Sequence, residues 1–597
     1  MMSKRILKAG YIGLLASMLP VGVAMAAPSV GPSGMDFYEV PSIYAGSNGD
    51  LIWYRSATVD VGASVVSKAW NVMYRSTDSL GATNTVTGTV IVPNAAWTGP
   101  GERPTLSYAV GTHGLAQGCA PSLQLAGGTD YENRNIAAAL AKGYAVLVTD
   151  NAGYTTGDSP TYLAGESQAH AALDIFTAAS QIPNAGISAN APAVIWGYSQ
   201  GGQTASWAGE VQKSYAPDLN LVAIAAGGTP ADFPSTAAYL DGSAGASFLL
   251  GAVVGLAEQY PDDIPLDELA SANGHAAIAV AKDQCVFESL FDFMNDSISE
   301  YTVGSKGLTE LLAISSVNDA VTAQNLGDGK PSVPVYQYHG QADEFIEIEQ
   351  HAALKKRYCG KFAKVTFDIF PSEHIVTQFQ AAPHVLEWFD ERFAGTSVDN
   401  SCYSFSQAPK SNANPGGGDF VVSLNDWNLG ATIHLATLDQ DVILPEDSSL
   451  TADTNITQGT LMGSMSVPDF DTKLNILVNL DVNLSIEPVG PITGTAGLSR
   501  DGMLNIDGQA DANVLINAAG FGWLKLPFNC TTTSPVACPI AYEGPIGDLG
   551  AGYLEFNGTT EFSELKCGWM TSLFNSLVAG PGQQYQFTVT PPAPTRW

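Results

Sequence analysis

The five residues from 197 to 201 read Gly-Tyr-Ser-Gln-Gly and form the most specific short motif of the chain. They directly follow an apolar run at residues 193–196 and precede a helical pattern that begins near Gly202. A serine between glycines at a strand-to-helix turn is typical of a nucleophile elbow, because the small neighbours let strand and helix approach closely. The bare motif recurs by chance, but the strand before it and the helix after it are the context that such a turn requires. We therefore predict that Ser199 is a nucleophile.

A serine hydroxyl is a poor nucleophile until a histidine takes its proton and a carboxylate orients that histidine. After a nucleophile elbow, the acid and the histidine follow in that order along the chain. Asp343 lies just after an apolar run at residues 333–338, and His374 follows the next run, at residues 364–370. Since the carboxyl ends of parallel strands meet at one edge of a sheet, we predict that Ser199, Asp343 and His374 form a catalytic triad.

Other residues of suitable chemistry are less well placed. Glu344 adjoins Asp343 and is the alternative acid. The remaining histidines considered as the base lie in helical patterns (His351 and His384), outside the strand-end pattern (His170 and His275), or before a glycine at a strand end, where stabilising the loop is the simpler role (His339).

Acyl transfer also requires hydrogen-bond donors for the tetrahedral oxyanion. We predict that the backbone N–H of Gln200, the residue after the nucleophile, is one of them. The second donor is expected from the loop at residues 111–115, which reads Gly-Thr-His-Gly-Leu and follows an apolar run at residues 106–110. The alternative is a plain glycine-rich turn, and the residues alone leave the donating amide open.

The elements that must position these groups alternate between short apolar runs and helical patterns from about residue 36 to 400. The runs are rich in Val, Ile, Tyr and Phe and end at Gly, Pro or Asp, which is typical of strands buried on both faces. They lie at residues 106–110, 144–150, 193–196, 221–226, 333–338 and 364–370, with helical patterns between them, for example at 135–142 and 202–214. This alternation predicts an α/β protein with a mostly parallel sheet. The mostly helical stretch from Thr229 to about Lys330 is expected to cap the carboxyl edge of the sheet, with a second helical core layer as the alternative.

The pattern changes after residues 411–418, a segment of Ser, Asn, Ala, Pro and Gly that predicts a linker. Beyond it, apolar residues recur with a period of two at residues 474–486, and Asp-Gly turns lie at 501–502 and 507–508. We predict an acidic, sandwich-like all-β domain from about residue 419 that folds separately and does no chemistry. Such a domain would either bind an insoluble substrate or surface, or only stabilise the protein and aid export.

The charge and the first residues bound the partners and the location. The 597 residues hold 25 Lys and Arg against 58 Asp and Glu, a net charge of −33, which argues against nucleic acid as a partner. Lys4, Arg5 and Lys8 precede an apolar stretch shorter than the ~20 residues of a membrane span, and Ala24 and Ala26 fit a cleavage site. We predict a signal peptide, cleavage near Ala26, and secretion to the extracellular space or the periplasm without an integral span in the mature chain.

All seven cysteines lie after that site, and in an exported protein they indicate disulfides rather than metal ligands. An odd number leaves at least one thiol unpaired, and the spacing alone does not fix the pairs.

Four stretches taken together carry a family resemblance: Ser107-Tyr108 with Cys119-Ala120-Pro121-Ser122, the elbow continued by Gly202, the segment from His339 to Asp343, and Ser372-Glu373-His374. They resemble the secretory lipase family, meaning the fungal lipase A type and its bacterial relatives, over roughly residues 36 to 405. The resemblance implies an α/β-hydrolase fold with a helical cap that hydrolyses lipid esters. By motif position it implies Ser199 as nucleophile, Asp343 as acid and His374 as base, with His113 as the second oxyanion donor through its backbone amide.

The resemblance also implies the disulfides Cys119–Cys285 and Cys359–Cys402. In the C-terminal region, which lies outside the family pattern, we expect Cys530 to pair with Cys567 and Cys538 to stay unpaired.

These observations predict a secreted serine ester hydrolase, a triacylglycerol lipase that works through an acyl-enzyme and needs no metal or organic cofactor. The alternative enzyme is a carboxylesterase or polyester depolymerase, and the alternative outside catalysis is an idle hydrolase that acts as a binding protein. The expected divisions are a signal peptide (1–26), an α/β-hydrolase domain (27–410, cap about 230–330), a linker (411–418) and a β-rich domain (419–597).

Overall fold

The computed structural model describes residues 28–597, except 43–45, 63–64, 158, 405, 414–417, 477–478, 523 and 551. The predicted signal peptide and the centre of the predicted linker therefore lie outside the described residues. None of the described helices is both long and apolar enough to cross a membrane.

The first sheet is mostly parallel at its centre, as predicted. Its strands in chain order are β1 (Ser29–Val30), β2 (Leu51–Ala57), β3 (Ser67–Thr77), β4 (Thr83–Pro93), β5 (Thr105–Ala109), β6 (Ala145–Thr149), β7 (Ala193–Tyr198), β8 (Leu221–Gly227), β9 (Val335–Gly340) and β10 (Val365–Phe370). The spatial order is β1-β2-β3-β4-β6-β5-β7-β8-β9-β10, and every neighbouring pair from β6 to β10 is parallel. The central strands are buried along their whole length because helices cover both faces.

Strands β2, β3 and β4 form an antiparallel extension that the sequence analysis did not predict. Strand β4 reads Thr-Asn-Thr-Val-Thr-Gly-Thr-Val-Ile-Val-Pro and pairs with β3 along eleven residues. The many threonines weakened its apolar signal, although threonine is β-branched and common in strands.

The helices in chain order are α1 (Pro121–Gly127), α2 (Asn133–Ala141), α3 (Gly165–Ser180), α4 (Gln200–Tyr215), α5 (Phe233–Leu240), α6 (Ala246–Gln259), α7 (Leu266–Leu269), α8 (Ala272–Lys282), α9 (Val286–Asp292), α10 (Leu308–Leu312), α11 (Ser315–Thr322), α12 (Ile348–Gly360), α13 (His374–Gln380), α14 (Ala382–Phe393) and α15 (Thr571–Val578). Helices α5 to α11 lie between β8 and β9 and form the predicted cap. Gly114, in the loop after β5, pairs with Cys285 at the start of α9, and Tyr239 on α5 donates to the carbonyl of Asp343 after β9. The cap therefore covers the carboxyl edge of the sheet.

The C-terminal region is all-β, as predicted, apart from α15. Its strands are β11 (Val421–Leu435), β12 (Gln440–Ile443), β13 (Ser449–Asn455), β14 (Thr460–Ser466), β15 (Phe470–Asn475), β16 (Asn479–Pro488), β17 (Ile492–Leu498), β18 (Met503–Phe521), β19 (Leu524–Thr532), β20 (Val536–Pro545), β21 (Leu554–Phe562), β22 (Leu565–Lys566) and β23 (Gly580–Thr590). All are joined by hydrogen bonds in one antiparallel sheet. The long strand β18 makes this possible, since one of its edges pairs with β17 and β16 in turn and the other with β20 and β19.

The period-two run at residues 474–486 is two strands. It ends β15 and continues in β16, and the two strands pair with Lys473 opposite Asp481 and Leu474 opposite Leu480. A hairpin in which the alternation keeps its phase across the turn looks like one long strand in the sequence.

The cap and the β-rich domain share one hydrophobic core, which differs from the expectation that the domain folds separately. Leu240 and Leu290 of the cap belong to the same buried cluster as Phe345, Phe379 and Trp427. Between the two units Arg500 also forms an ion pair with Asp292, and Arg134 forms one with Asp548.

The last described residues leave the β-rich domain. Thr595–Arg596 forms a final strand, β24, which pairs antiparallel with β10 at the edge of the first sheet. The side chain of Trp597 is buried against Phe367. The Nζ atom of Lys355 lies over the Trp597 ring, 3.6 Å from its centre. The predicted domain running unbroken from 419 to 597 thus returns a short segment to the hydrolase sheet.

Three disulfides link distant segments. Cys119 is bonded to Cys285, Cys359 to Cys402 and Cys530 to Cys567, which are the expected pairs, and Cys538 is a free, half-buried thiol. The first joins the segment after β5 to the cap, and the second joins α12 to the segment after α14.

Candidate active site

Ser199 occupies a strained turn between β7 and α4, with φ 56° and ψ −120°. The strand and the helix meet so closely that a Cβ on Gly197 would lie 2.1 Å from the carbonyl oxygen of Gly201. A Cβ on Gly201 would lie 1.9 Å from the carbonyl oxygen of Ala109 on β5. Both glycines are therefore required by close packing, and the turn presents a half-buried serine beyond the end of the strand.

His374 and Asp343 are hydrogen-bonded, with 2.7 Å between His374 Nδ1 and Asp343 Oδ2. The other carboxylate oxygen, Oδ1, accepts from the backbone N–H groups of Phe345 at 3.0 Å and Ile346 at 2.8 Å. Because Nδ1 of the imidazole donates to the carboxylate, Nε2 is the nitrogen that can accept the Ser199 proton. Burial alone would raise the pKa of Asp343, but His374 and His339 lower the pKa below its usual value, so the carboxylate is ionised.

Two aromatic rings hold the imidazole of His374. The ring of Tyr198, the residue before the nucleophile, has its centre 4.9 Å from the imidazole centre, and the ring of Phe345 packs edge-on at 5.3 Å. The side chain of His374 is only 9% exposed. The structure thus brings Asp343 and His374 into contact and places both beside the turn that carries Ser199.

A second histidine contacts the same carboxylate, which the sequence analysis missed. His339 Nε2 lies 3.1 Å from Asp343 Oδ2 and 2.9 Å from the carbonyl oxygen of Ile346, and its Nδ1 lies 2.9 Å from Nδ1 of His351. Burial and the neighbouring His339 lower the pKa of His351 well below its usual value, so His351 is neutral. The signal in the sequence was the position of His339, four residues before Asp343 at the end of β9.

Beside the triad, Glu373 is fully buried and Glu344 is half-buried, and both accept hydrogen bonds from backbone N–H groups. Glu344 accepts a 3.2 Å hydrogen bond from the backbone N–H of His374, and Glu373 caps α13 by accepting from Ile375 and Val376. Burial and the charge of Glu373 raise the pKa of Glu344 well above its usual value. Burial also raises the pKa of Glu373, to about 7. Glu344, the alternative acid, is therefore neutral and bonded to the backbone.

The expected oxyanion donors are backbone N–H groups of the elbow and of the loop after β5. The backbone N–H of Gln200 is the first of α4, and the first N–H groups of a helix have no partner within the helix. In the loop after β5, Thr112 is half-exposed and its hydroxyl is 2.6 Å from that of Tyr162.

The side chain of His113 is fully buried and points into the protein. Its Nδ1 is 3.0 Å from the carbonyl oxygen of Gly111 and its Nε2 is 3.3 Å from Asp130. Burial lowers its pKa, but the charge of Asp130 outweighs this and raises the pKa to about 9. The protonated ring stabilises the loop through its contacts with Gly111 and Asp130. Because the ring points into the protein, the group of His113 available to an oxyanion is its backbone amide.

Of the other histidines considered as the base, two stack or pack on aromatic rings and the third is exposed on the cap. His170 on α3 stacks on Tyr215 at 3.7 Å, His384 on α14 packs on Phe370, and His275 lies on the cap helix α8.

A strained serine between β7 and α4, a buried Asp–His pair after β9 and β10, and a helical cap define an α/β-hydrolase. The sequence model of the secretory lipase family matches residues 121–400, and the chain belongs to this family. The chain is 28% identical to Lipase 6 of Candida albicans over 404 residues, which covers 62% of this chain and 83% of the relative. It is 28% identical to a secreted triacylglycerol lipase of Malassezia globosa over 387 residues, 61% of this chain and 80% of the relative.

A probable inactive lipase of Mycobacterium tuberculosis is 30% identical over 338 residues, 55% of this chain and 74% of the relative. Among solved structures, Candida antarctica lipase A in its closed state matches with a TM-score of 0.53 and 23% identity, over 62% of this chain and 86% of that one. This last match supports the fold. As a member of the family, the chain is a secreted hydrolase that acts on carboxylic ester bonds.

Proposed function

We propose that this protein is a secreted triacylglycerol lipase in which Ser199, His374 and Asp343 form the catalytic triad. The observation that carries the proposal is the buried 2.7 Å bond between Asp343 and His374 beside the serine of a strained elbow. Relatives named as lipases support lipid esters as the substrate in preference to the non-lipid esters of a carboxylesterase or polyester depolymerase. Signal cleavage near Ala26 and the division into an α/β-hydrolase domain and a β-rich domain near residue 419 belong to the same proposal.

The proton transfers follow from the orientation of the imidazole. Ser199 Oγ attacks the ester carbonyl while His374 Nε2 takes its proton, and the resulting imidazolium is stabilised by the ionised Asp343. His374 then returns that proton to the departing alcohol, which leaves the acyl group on Ser199. Water attacks the acyl-enzyme by the same two proton transfers, and this releases the fatty acid and restores the serine.

The oxyanion of each tetrahedral intermediate would accept hydrogen bonds from the backbone N–H groups of Gln200 and His113. Gln200 is supported by its position at the start of α4, where the helix dipole also favours negative charge. His113 is supported by its place in the loop that faces the elbow, with its side chain fixed to Asp130. Fixed donors of this kind stabilise developing charge without reorganising during the reaction.

An apolar cavity of about 100 Å³ lies inside the cap, and none of the triad residues lines it. Its lining includes Leu163, Leu250, Val253, Leu256 and Leu311. At this volume the cavity is smaller than most ligand pockets, so the preference for lipid esters rests on the relatives named as lipases.

The test is a series of p-nitrophenyl esters of increasing acyl length alongside emulsified triglyceride, with a fluorophosphonate probe. We expect covalent labelling of Ser199 and no labelling of Ser199→Ala, activity on emulsified triglyceride, and kcat/KM that rises with acyl length. Hydrolysis of short esters without triglyceride cleavage would contradict the lipid assignment. Activity retained by Ser199→Ala would contradict the triad itself.

A further inference from the structure

The segment that carries His374 is bonded to the β-rich domain at two points. Ser372, two residues before the histidine, forms an isolated antiparallel bridge with Leu424 on β11. Gln380, the last residue of α13, accepts from the Ser372 hydroxyl at 2.6 Å and donates to the carbonyl of Pro592 at 3.3 Å. The segment just before α13 and the last residue of α13 are thus bonded to residues that lie beyond the hydrolase domain in the sequence.

A short 3-10 helix of the β-rich domain, Ile546–Gly550, packs directly on α13. A Cβ on Gly547 would lie 2.8 Å from the ring of Phe379, and a Cβ on Gly550 would lie 2.6 Å from the carbonyl oxygen of Val376. Glycine at these two positions lets the backbones of the two elements touch. The contact leaves α13 no room to move outward.

The ring of Phe345 that packs on His374 is itself backed by the β-rich domain. Phe420, fully buried just before β11, has its ring centre 5.7 Å from that of Phe345. Phe345 also supplies one of the two backbone N–H groups that hold Asp343 Oδ1. The β-rich domain therefore contacts the supports of both the base and the acid.

We propose that the β-rich domain is a positioning element of the catalytic site, which keeps His374 and Asp343 correctly placed relative to Ser199. This deepens the proposed function and rests on it. The family match ends at residue 400, so the contacts come from a part of the chain that the family pattern does not include. The domain thus packs against the residues that support the site, and it is not a tethered module that only raises the local substrate concentration.

The expected consequence is a fall in kcat at nearly constant KM for a small soluble ester. Displacing a catalytic group by about 1 Å can cost about 100-fold in rate, because the reacting atoms must be held within a few tenths of an ångström. A short ester has little contact with the cap or the β-rich domain, so its binding should be spared.

The test uses Gly550→Ala in the full-length protein, since the added methyl must push α13 and the 3-10 helix apart. Gly497→Ala is the matched control, because Gly497 lies on β17 of the same domain and has open space at its Cβ position. We expect Gly550→Ala to lower kcat for p-nitrophenyl acetate by about 10- to 100-fold and Gly497→Ala to leave it unchanged.

Fluorophosphonate labelling separates positioning from loss of fold. Its amplitude counts the folded sites, and its rate per site reports how well His374 activates Ser199. We expect Gly550→Ala to lower the labelling rate by about the same factor as kcat at every site that labels. An unchanged rate per site, with only the amplitude reduced, would overturn the proposal, since the domain would then only stabilise the fold.

Phe420→Ala and Phe420→Leu provide a second pair in case Gly550→Ala folds poorly. The alanine variant should lower the labelling rate and the leucine variant should recover most of it, because leucine still fills the space against Phe345. Equal, wild-type rates in both would overturn the proposal. A failure of the proposed function would look different, because Ser199→Ala would then keep its activity whatever the β-rich domain does.

Discussion

Replacing Asp343 with asparagine tests how the carboxylate orients the catalytic histidine. Oδ1 of Asp343 accepts from two backbone N–H groups, those of Phe345 and Ile346, whose positions are fixed by the chain. In the Asp343→Asn variant the side-chain carbonyl oxygen should keep this place, because an NH₂ group there would leave buried donors unpaired at about 1–3 kcal/mol each. The NH₂ group then faces His374 Nδ1, which must give up its proton to accept a hydrogen bond.

The magnitude follows from this change of tautomer. With the proton moved to Nε2, His374 presents an N–H to Ser199 and cannot take the serine proton. In serine proteases the same substitution lowers kcat by about 10⁴, or about 5 kcal/mol of activation free energy. We expect a loss of this order here, with little loss of fold because His339 keeps the Ile346 carbonyl as an acceptor.

The assay is kcat on a soluble p-nitrophenyl ester, normalised to folded protein by circular dichroism. Glu344→Gln is the matched control, since the half-buried Glu344 has a raised pKa and glutamine reproduces the shape of its neutral form. We expect this control to retain kcat within a few-fold of the wild type. The reasoning would be refuted by Asp343→Asn retaining more than a tenth of the wild-type kcat, or by Glu344→Gln losing as much as Asp343→Asn.

Three further predictions follow from the same contacts. Ser199→Ala and His374→Ala should each lower kcat by about 10⁴- to 10⁶-fold, and the double variant should be barely slower, because the two residues act as one unit; additive losses in ester progress curves would contradict this. Ending the chain after Pro409 should abolish turnover even on a soluble ester, because the apolar residues beside His374 would lose their contacts with the β-rich domain. A truncated chain that is folded and fully active in the same assay would contradict this prediction. Folding raises the pKa of Glu373 from 4.5 to about 7, so the folded state binds more protons than the unfolded state between these pH values. The free energy of unfolding should therefore fall as the pH rises from 5 to 7, by about 3 kcal/mol at most. Urea titrations at several pH values should show this slope, and Glu373→Gln should flatten it.

The sequence was sufficient where a local pattern dictates local structure. Glycines on both sides of Ser199 predicted the elbow because only they allow the backbone contacts found between β7, α4 and β5. Asp343 and His374 were predicted from their places after consecutive apolar runs, since parallel strands bring their carboxyl ends to one edge. The antiparallel strands β2 to β4 escaped detection because their polar and apolar residues do not separate into clear runs.

The tertiary structure decided which surfaces meet. The sequence shows that Phe420, Trp427 and Leu549 are apolar and therefore candidates for burial. It does not show which residues each of them packs against. The expectation that the C-terminal region folds separately rested on a change of composition at residues 411–418, which indicates a linker but not whether the two units dock.

The partners of the catalytic residues were undetermined for the same reason. The contact of Phe420 with Phe345 spans 75 residues of sequence, and the bridge between Ser372 and Leu424 spans 52, so no periodicity links them. Hydrophobic burial is non-directional and rewards any apolar contact that excludes water, whereas the choice among such contacts depends on the shapes of whole elements after they have formed. The residue types and their order therefore determined the chemistry of the triad, and the packing of two distant parts of the chain decided what holds it in place.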